Sequence, residues 1–464
     1  MNVYLAIDIG ASGGRHIAGW LEDGRLRTKE VYRFENGATV KNGHLCWDAE
    51  GLFAHVVAGL KAAVREGLTP VSVGIDTWAV DFVLLDGEDR MLGDLVAYRD
   101  NRTAQMDTEL EKVLPFARHY AITGIAKQPF NTVYQMMAVL REHPEWREEA
   151  RDFLMVPEWL SWRLTGVRKH EWTNISTTAL ADAATRSWSA EVLEKAGIPA
   201  HWTRTPIVAP GTPLGPLKAD IAAEVGCAPT VVLSASHDTG SAYVAVPAET
   251  DNAVFLSSGT WSLLGTELKE PVTGETALQA GFTNEGGVSC SVRFLKNIMG
   301  MWMLQCLRHE YQDRWSYAEM AEMAAASAYP AFVNATDNRY LAPASMKDEI
   351  LTALREQGAP EPASPGDLFR AVTVGLAECY AEAIQEMSAV TGKPFSVIHI
   401  VGGGSQNVTL NRLTAERTHL PVCAGPTEGT ALGNLGVQMI ASGVFPSVAA
   451  FRAILAKEPD LTRY

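Results

Sequence analysis

The spacing of apolar residues predicts a β-hairpin at the start of the chain. Residues 3–9 (VYLAIDI) form an apolar run of the length of a buried strand. A turn of small residues over 10–14 follows, and residues 15–21 (RHIAGWL) resume the apolar pattern. Because the second run starts directly after the turn, the pattern indicates two paired strands rather than a strand followed by a helix.

A second unit of the same kind begins near residue 253. The segment AVFLSS reads as a strand, Gly259 and Thr260 form the turn, and WSLLGTEL (261–268) reads as the returning strand. The two units agree in length and in the order of apolar and polar positions. They therefore suggest an internal duplication, with one hairpin opening each half of the chain.

Longer periodic patterns predict how the rest of the chain is built. Helices are expected at 50–66, 367–391 and 429–442 and over most of 104–165, and strands at 71–76, 79–85, 230–236 and 397–401. Alternating strands and helices indicate the α/β class. A boundary between Pro247 and Asn252 divides the chain into an N-terminal domain, residues 1–247, and a C-terminal domain, residues 248–464.

Charge and composition narrow the classes of function. The chain has 39 basic and 54 acidic residues and a net charge of −15, so it would gain little from counterion release on nucleic acid. Nucleic acid is therefore not an expected partner. An anionic ligand would need backbone N–H groups or a metal ion to hold it.

Cysteine usage and the N-terminus favour a cytoplasmic protein. The six cysteines include no C-x-x-C pair and are too few for a disulfide framework. The first residues lack the basic segment of a signal peptide, and Asp8 interrupts their apolar run. No segment approaches the ~20 apolar residues of a membrane span. We therefore expect reduced thiols and no membrane partner.

Three glycine-rich segments are candidates for nucleotide binding. The first turn, Gly10–Arg15, can bring backbone N–H groups to phosphate oxygens, and Asp8 can hold Mg²⁺ through water. The second turn repeats this chemistry at 257–261, and Gly402–Gly404 can support a flat adenine ring. Tight turns with a capping acid, or close loop packing, remain the alternatives.

The candidate for catalysis is the segment Ser236-His237-Asp238-Thr239. Neighbouring residues on a strand point to opposite faces, so these residues are not expected to form a Ser–His–Asp triad. An aspartate at the end of a strand can instead accept the proton of an attacking hydroxyl group during phosphoryl transfer. An Asx turn is the alternative for Asp238.

Aromatic and acidic residues between 76 and 82 (DTWAVDF) suggest a sugar site. Trp78 and Phe82 can stack on a sugar ring, with nearby carboxylates binding hydroxyl groups, or they can belong to the core. The segment His170-Glu171-Trp172 is a weaker candidate of the same kind.

Taken together, these segments resemble the FGGY carbohydrate kinases of the actin/hexokinase/Hsp70 superfamily, from residue 3 to about 440. The resemblance is carried by these segments: IDIGASGGR (7–15), GIDTWAVDFVLLD (74–86), AYRDNRT (97–103), SHDTGSA (236–242), FLSSGTWSLLG (255–265), TNEGG (283–287), LKNIMGMWMLQ (295–305), HIVGGGSQN (399–407) and GTALGNLGVQ (429–438).

This resemblance implies two ribonuclease-H-like domains with ATP and sugar in a cleft between them. The residues implied for ATP are Ala11, Ser12, Gly13, Gly14, Arg15, Thr260, Gln305 and Gly403, with Asp8 near Mg²⁺. Those implied for the sugar are Trp78, Ala79, His237, Asp238, Thr239 and Asn297, with Asp238 as the general base.

Within the family, the chain is most similar to the kinases that phosphorylate L-rhamnulose in L-rhamnose catabolism. Ala79 stands where that pattern commonly has glycine, and its methyl group narrows the implied sugar pocket. L-fuculose, L-xylulose and D-xylulose therefore remain alternative substrates. A non-catalytic nucleotide or sugar sensor is a further alternative, and a monomer or weak homodimer is expected.

Overall fold

The computed structural model of the chain describes residues 1–341, 343–457 and 461–464. Its strands are β1 (Asn2–Gly10), β2 (Gly13–Glu22), β3 (Arg25–Glu35), β4 (Thr39–Lys41), β5 (His44–Cys46), β6 (Thr69–Thr77), β7 (Phe82–Leu85), β8 (Met91–Leu92), β9 (Asp152–Met155), β10 (His170–Glu171), β11 (Ala181–Asp182), β12 (Ser187–Trp188), β13 (Ile207–Val208), β14 (Thr212–Pro216), β15 (Thr230–Leu233), β16 (Ala253–Ser258), β17 (Ser262–Leu268), β18 (Thr283–Gly286), β19 (Val292–Ile298), β20 (Val397–Val401), β21 (Val422–Ala424) and β22 (Thr462–Arg463).

Its helices are α1 (Ala49–Arg65), α2 (Met106–Glu111), α3 (Phe116–Thr123), α4 (Thr132–Glu142), α5 (Trp146–Glu149), α6 (Val156–Thr165), α7 (Trp172–Ile175), α8 (Ala190–Lys195), α9 (Ala219–Val225), α10 (Asp238–Val244), α11 (Glu275–Gln279), α12 (Trp302–Glu310), α13 (Tyr317–Ala326), α14 (Met346–Glu356), α15 (Pro365–Thr391), α16 (Val408–Thr418), α17 (Gly429–Ala441) and α18 (Val448–Leu455). Among the described residues, no helix combines the length and apolar character needed to cross a membrane.

The chain folds into two compact units, each built from separate stretches of sequence. The first unit comprises Met1–Ala245, Glu267–Phe294 and Thr430–Leu455. The second unit comprises Val246–Thr266, Leu295–Gly429 and Ala456–Tyr464, apart from the residues outside the described ranges. The division of the sequence at residues 247 and 248 stays a prediction.

The first unit is organised by a sheet with the strand order β14-β15-β6-β1-β2-β3. Strands β1, β2 and β3 form an antiparallel meander, which confirms the first predicted hairpin. On the other side, β6 runs parallel to β1 and β15 runs parallel to β6, and β14 closes this edge in the antiparallel sense.

The second large sheet repeats this strand order and adds one strand at its edge. Its seven strands follow the order β18-β19-β17-β16-β20-β21-β22, and β18 is the added strand. The hairpin β16–β17 is antiparallel, β20 and β21 run parallel to β16, and β22 is antiparallel to β21. The shared order supports the internal duplication that the two sequence hairpins suggested.

Helices cover both faces of the first unit's sheet. The odd residues of β1 pack with Leu52, Val56 and Leu60 of α1, which recur every four residues along one side of that helix. The even residue Ala6 packs with Ala431 and Leu435 of α17. Because β1 is buried on both faces, it holds Asp8 at its carboxyl end in a fixed position.

Three predicted elements differ from the structure. Only Phe82–Leu85 of the segment 79–85 is a strand, because Val80 adopts a left-handed backbone (φ 69°) that breaks the extended conformation. The strand at 230–236 ends at Leu233. Within the predicted helical region 104–165, the fully buried residues Asp152–Met155 pair with β7 as an additional antiparallel strand.

The glycines of α17 allow close packing in the first unit. A methyl group built on Gly433 would lie 1.7 Å from the carbonyl oxygen of Ser241, in α10. Backbone atoms cannot move aside as a flexible side chain can, so this position is restricted to glycine. The contact places α17 directly against the helix that carries Asp238.

Replacing Gly433 with alanine should therefore lower the free energy of unfolding. Helix propensity alone would favour alanine by about 1 kcal/mol. We expect the clash with Ser241 to reverse that gain and to cost about 1–3 kcal/mol net, measured by urea denaturation. Gly37→Ala is the control, because that position has open space around it and should change stability by less than about 0.5 kcal/mol. Equal stability of the Gly433→Ala variant and the wild type would contradict this packing.

Candidate active site

An acidic pair lies where two parallel strands of the first unit end together. In the register of β1 and β6, Asp8 lies directly beside Asp76. Asp8 also faces Arg15 across the hairpin, and its Oδ2 accepts hydrogen bonds from Arg15 Nη2 at 3.0 Å and Nε at 3.1 Å. The carboxyl ends of parallel strands meet at one edge of a sheet, and this edge therefore concentrates negative charge.

Asp76 is fully buried and holds a proton more tightly than an ordinary aspartate. Burial raises the pKa of Asp76 well above its usual value, and the charges of Asp8 and Asp238 raise it further. The side chain of Asn434, on α17, donates to Asp76 Oδ2 and opposes this effect in part. The protonated acid can donate a hydrogen bond to Asp8, so the pair carries less charge than two free carboxylates.

The glycines of the first hairpin have a packing role. A methyl group on Gly14 would lie 2.3 Å from the ring of Phe34, and one on Gly13 would lie 2.9 Å from the carbonyl oxygen of Phe34. Ala11 and Ser12, at the tip of the turn, are partly or fully exposed. The hairpin is therefore held by β3 while the backbone at its tip stays open to a ligand.

The second hairpin is tied to α12 inside the second unit. The carbonyl oxygens of Gly259 and Thr260 accept from the backbone N–H groups of Met301 and Trp302, at 3.1 and 3.0 Å. Gln305 lies one helical turn further along α12, and its N–H donates to the carbonyl oxygen of Met301 at 2.9 Å. This arrangement brings Thr260 and the helix of Gln305 to the same end of the second unit.

The glycine triplet follows β20, the strand parallel to β16. A methyl group on Gly402 would lie 2.7 Å from the carbonyl oxygen of Ser258, and one on Gly404 would lie 1.9 Å from the hydroxyl oxygen of Ser258. Apart from its chain neighbours, no described residue has an atom within 4 Å of the corresponding position on Gly403. Two glycines therefore permit close packing, whereas Gly403 presents open backbone.

Asn297 belongs to β19, whose last residues lie in the second unit. Its side-chain oxygen Oδ1 is buried and has no hydrogen-bond partner among the described residues.

Asp238 begins a helix rather than ending a strand. Strand β15 stops at Leu233, and Asp238 is the first residue of α10. The prediction of a strand-end aspartate is wrong because β15 ends at Leu233, and only an isolated parallel bridge between His237 and Thr77 follows before the helix begins. Asp238 Oδ1 accepts hydrogen bonds from the backbone N–H and the hydroxyl group of Thr239, and the side chain remains about one-third exposed. A carboxylate held on one oxygen and open on the other can accept a proton.

Ser236 is engaged elsewhere, which removes it as a triad nucleophile. Its hydroxyl group donates to Glu171 Oε2 at 2.6 Å, and its backbone N–H donates to the same oxygen at 3.0 Å. Glu171 also accepts from the N–H and hydroxyl groups of Thr173. Burial raises the pKa of Glu171, and these four donors limit the rise. Glu171 thus fixes the backbone that leads into Asp238.

Trp78 is a buried residue of the first unit, and its ring is tilted by 39° against the ring of Trp47, with 4.3 Å between the centroids. Both indole N–H groups donate to Asp81 Oδ2, at 2.7 Å from Trp47 and 2.8 Å from Trp78. The backbone N–H of Tyr98 and the side-chain amide of Gln135 add two further donors to Asp81.

Asp81 therefore shapes the sugar-site segment without being free to bind a hydroxyl group. Burial raises the pKa of Asp81 to about 6, against the effect of its four donors. Its bonds surround the left-handed Val80, whose carbonyl oxygen accepts from Thr132 and Gln135. The turn that carries the half-buried Ala79 is thus held from both sides.

Two domains of one protein family match almost the whole chain. Residues 3–245 match the N-terminal domain of the FGGY family of carbohydrate kinases, and residues 254–442 match its C-terminal domain. The chain belongs to this family. It is therefore a carbohydrate kinase, and the family's reaction uses ATP and a divalent metal ion. The expected two-domain kinase fold is confirmed.

Several relatives are similar over the whole chain. A rhamnulokinase of Halalkalibacterium halodurans is 43% identical over 464 residues, 100% of this chain and 99% of that protein. A rhamnulokinase of Oceanobacillus iheyensis is 42% identical over 99% of this chain and 97% of its own length. A rhamnulokinase of Bacillus subtilis is 39% identical over 98% of this chain and 93% of its own length.

Solved structures share the fold at low sequence identity. A ligand-bound xylulose kinase from Lactobacillus acidophilus has a TM-score of 0.81 and 15% identity, covering 100% of this chain and 93% of that one. A Plasmodium falciparum glycerol kinase with ADP has a TM-score of 0.81 and 14% identity, and the match covers 99% of this chain and 94% of that one.

Replacement of Asp76 by asparagine should be tolerated by the ligand-free protein. Because burial raises the pKa of Asp76 well above its usual value, the neutral asparagine should suit this site, and it preserves the shape of Asp76 and the acceptor for Asn434. We expect the free energy of unfolding at pH 7 to stay within about 1 kcal/mol of the wild type, whereas Asp76→Ala, which leaves Asn434 without its acceptor, should lose about 1–3 kcal/mol more.

The free energy of unfolding of the wild type should also depend on pH through Asp76. A raised native pKa means that the native state keeps a proton that the unfolded chain releases. This contribution stabilises the wild type at low pH and is lost as the pH rises through the native pKa, so denaturation from pH 4 to 8 should show a dependence that the asparagine variant lacks. Equal losses in the asparagine and alanine variants would contradict a protonated Asp76.

Proposed function

We propose that this chain transfers the γ-phosphoryl group of ATP to L-rhamnulose, which gives L-rhamnulose 1-phosphate and ADP. The observation that carries the proposal is the similarity to rhamnulokinases at 39–43% identity over 98–100% of the chain. The solved xylulose kinase is only 15% identical, so another ketose is less well supported. The reaction would be a step of L-rhamnose catabolism.

Asp238 is the proposed general base. The sugar hydroxyl oxygen forms a bond to the γ-phosphorus, the bond from that phosphorus to the ADP oxygen breaks, and the hydroxyl proton passes to Asp238. In phosphoryl transfer the protein mainly positions the groups and balances their charge. The exposed third of the Asp238 side chain supports this role, because the proton must reach the carboxylate.

Five residues besides Asp238 are the proposed sugar contacts. In the first unit they are His237 and Thr239 beside Asp238, and the held turn of Trp78 and Ala79. In the second unit the contact is Asn297, whose unpartnered buried oxygen suits a hydroxyl donor.

The proposed nucleotide contacts are backbone groups and polar side chains. Ala11, Ser12, Gly13, Gly14 and Arg15 would bind phosphate oxygens from the first unit. In the second unit, Thr260, Gln305 and Gly403 would bind phosphate oxygens or contact the adenosine.

Asp8 is the proposed partner of Mg²⁺. Among the described residues there is no group of three or more His, Cys, Asp or Glu arranged to hold a metal ion. Mg²⁺ suits such a site, because it keeps several waters and binds through one or two carboxylates together with substrate phosphates. The carboxylate of Asp8 beside Asp76 fits this chemistry. When bound, the ion would neutralise charge on the phosphates.

The proposal extends to the domain division, the oligomeric state and the location of the protein. The chain would divide into two domains, residues 1–247 and 248–464. A monomer or weak homodimer in the cytoplasm, where ATP is available, completes the proposal.

A coupled assay of ADP release tests the substrate directly. With Mg-ATP and a panel of L-rhamnulose, L-fuculose, L-xylulose and D-xylulose, we expect kcat/KM to be highest for L-rhamnulose by about tenfold or more, because a hydrogen-bonded pocket discriminates among sugars by their hydroxyl positions. Mg-ATP without sugar is the control for background hydrolysis. A higher kcat/KM for another ketose would replace the substrate, and no sugar-dependent ADP from any of them would favour a sensor.

A further inference from the structure

A row of three buried polar side chains leads to the partly exposed Asp238 in the first unit. Glu285 and Arg293 come from β18 and β19, His237 precedes α10, and Asp238 begins it. Arg293 Nη1 lies 2.9 Å from Glu285 Oε2, Arg293 Nη2 lies 3.1 Å from His237 Nδ1, and His237 Nε2 lies 3.3 Å from Asp238 Oδ1. A continuous path of contacts therefore links a buried ion pair to the proposed base.

Arg293 is held rigidly at the centre of this row. It is fully buried, and its Nε donates to the carbonyl oxygen of Gly286 at 2.8 Å. Its Nη2 also donates to the carbonyl oxygen of Thr173 at 3.2 Å. These bonds fix the plane of the guanidinium group, and so they fix the direction from which it meets His237.

The contact between Arg293 and His237 determines where the histidine proton lies. A guanidinium group has five N–H donors and no acceptor. In a hydrogen bond with it, His237 Nδ1 must therefore be the acceptor and must carry no proton. A neutral imidazole then has its proton on Nε2, the nitrogen that faces Asp238.

Glu285 does not change this assignment. Its Oε2 lies 3.4 Å from His237 Nδ1, a contact that would need a proton on Nδ1, but it lies closer to Arg293 Nη1, at 2.9 Å. Burial alone would raise the pKa of Glu285, but the adjacent charge of Arg293 brings it below its usual value. The ionised Glu285 thus balances the charge of Arg293, and the imidazole is not needed as a cation.

All contacts of the Asp238 carboxylate converge on one oxygen. Oδ1 accepts from the N–H and hydroxyl groups of Thr239 and faces His237 Nε2. In the described part of the chain, no hydrogen bond or ion pair reaches Oδ2. The oxygen that can receive a substrate proton is therefore Oδ2.

From this geometry we infer that Arg293 is a positioning residue, which keeps His237 neutral with its proton on Nε2 so that Asp238 is held by Oδ1 and presents Oδ2 to the sugar hydroxyl. The inference deepens the proposed function and rests on Asp238 being the base. It assigns to Glu285 and Arg293 a role beyond the stability that a buried ion pair alone would have.

The protonation of His237 can be measured without any enzyme activity. In wild-type protein labelled with ¹⁵N-histidine, NMR should show His237 as a neutral ring with a proton on Nε2 and none on Nδ1, and the variant His237→Gln identifies its signals. A proton on Nδ1 of wild-type His237 at pH 7 would overturn the inference. Because no substrate is present, this result is independent of which sugar the protein phosphorylates.

A double variant, Arg293→Met with Glu285→Gln, removes both buried charges together and leaves neither unpaired. We expect the His237 proton to be distributed over both ring nitrogens and kcat with L-rhamnulose to fall about 10- to 100-fold through loss of orientation. The KM for ATP should change by less than about twofold, because the nucleotide contacts are not altered. Arg293→Lys, which keeps one charge but cannot make all four contacts, should change both readouts in the same direction if the double variant does not fold.

Arg452→Lys is the matched control. Arg452 is also partly buried in the first unit, pairs with Glu267 at 2.8 Å, and donates to the carbonyl oxygens of Tyr243 and Val244 at the far end of α10. It should lower stability but leave the His237 protonation and kcat unchanged. If the His237 signals stay unchanged in the Arg293 variants, Arg293 does not position His237. The same holds if the Arg452 variant shows the same changes as the Arg293 variants.

Discussion

The parallel pairing of β1 with β6 is the constraint on which the chemistry of the first unit depends. It sets Asp8 and Asp76 side by side at one edge of the sheet, where two buried carboxylates cannot both ionise at low cost. The conflict is resolved by a raised pKa at Asp76 and by two neighbours, Arg15 on the hairpin and Asn434 on α17. The strand, the hairpin and the covering helix are therefore all needed to hold one acidic site.

The second unit uses the same strand order for different chemistry. At the positions that correspond to the acidic pair, β16 carries Ser257 and β20 carries Val401, which are paired in register. The edge is then occupied by glycine backbone, with Gly402 and Gly404 packed on Ser258. One topology thus supplies carboxylates in the first unit and open backbone in the second.

Local patterns predicted much of this fold, and contacts distant in sequence account for the rest. Both hairpins, α1 and α15 follow from periodicity within a few residues. Strand β9 was missed because four apolar and acidic residues next to a helix give no sign of their partner β7. The environment of Asp238 was equally hidden: Glu171 lies 65 residues from Ser236 and Arg293 lies 56 residues from His237. The acids and the histidine were visible as residue types, but their partners depend on tertiary packing.

The central claim is that Asp238 accepts the proton of the sugar hydroxyl group. The most direct measurement compares Asp238→Asn with Asp220→Asn, an exposed aspartate in the first turn of α9. For Asp238→Asn, kcat with Mg-ATP and L-rhamnulose should fall about 100- to 10,000-fold, the usual contribution of a general base, while ATP binding measured by calorimetry is retained. Asp220→Asn should turn over like the wild type. Near-normal turnover of the Asp238→Asn variant would contradict the account.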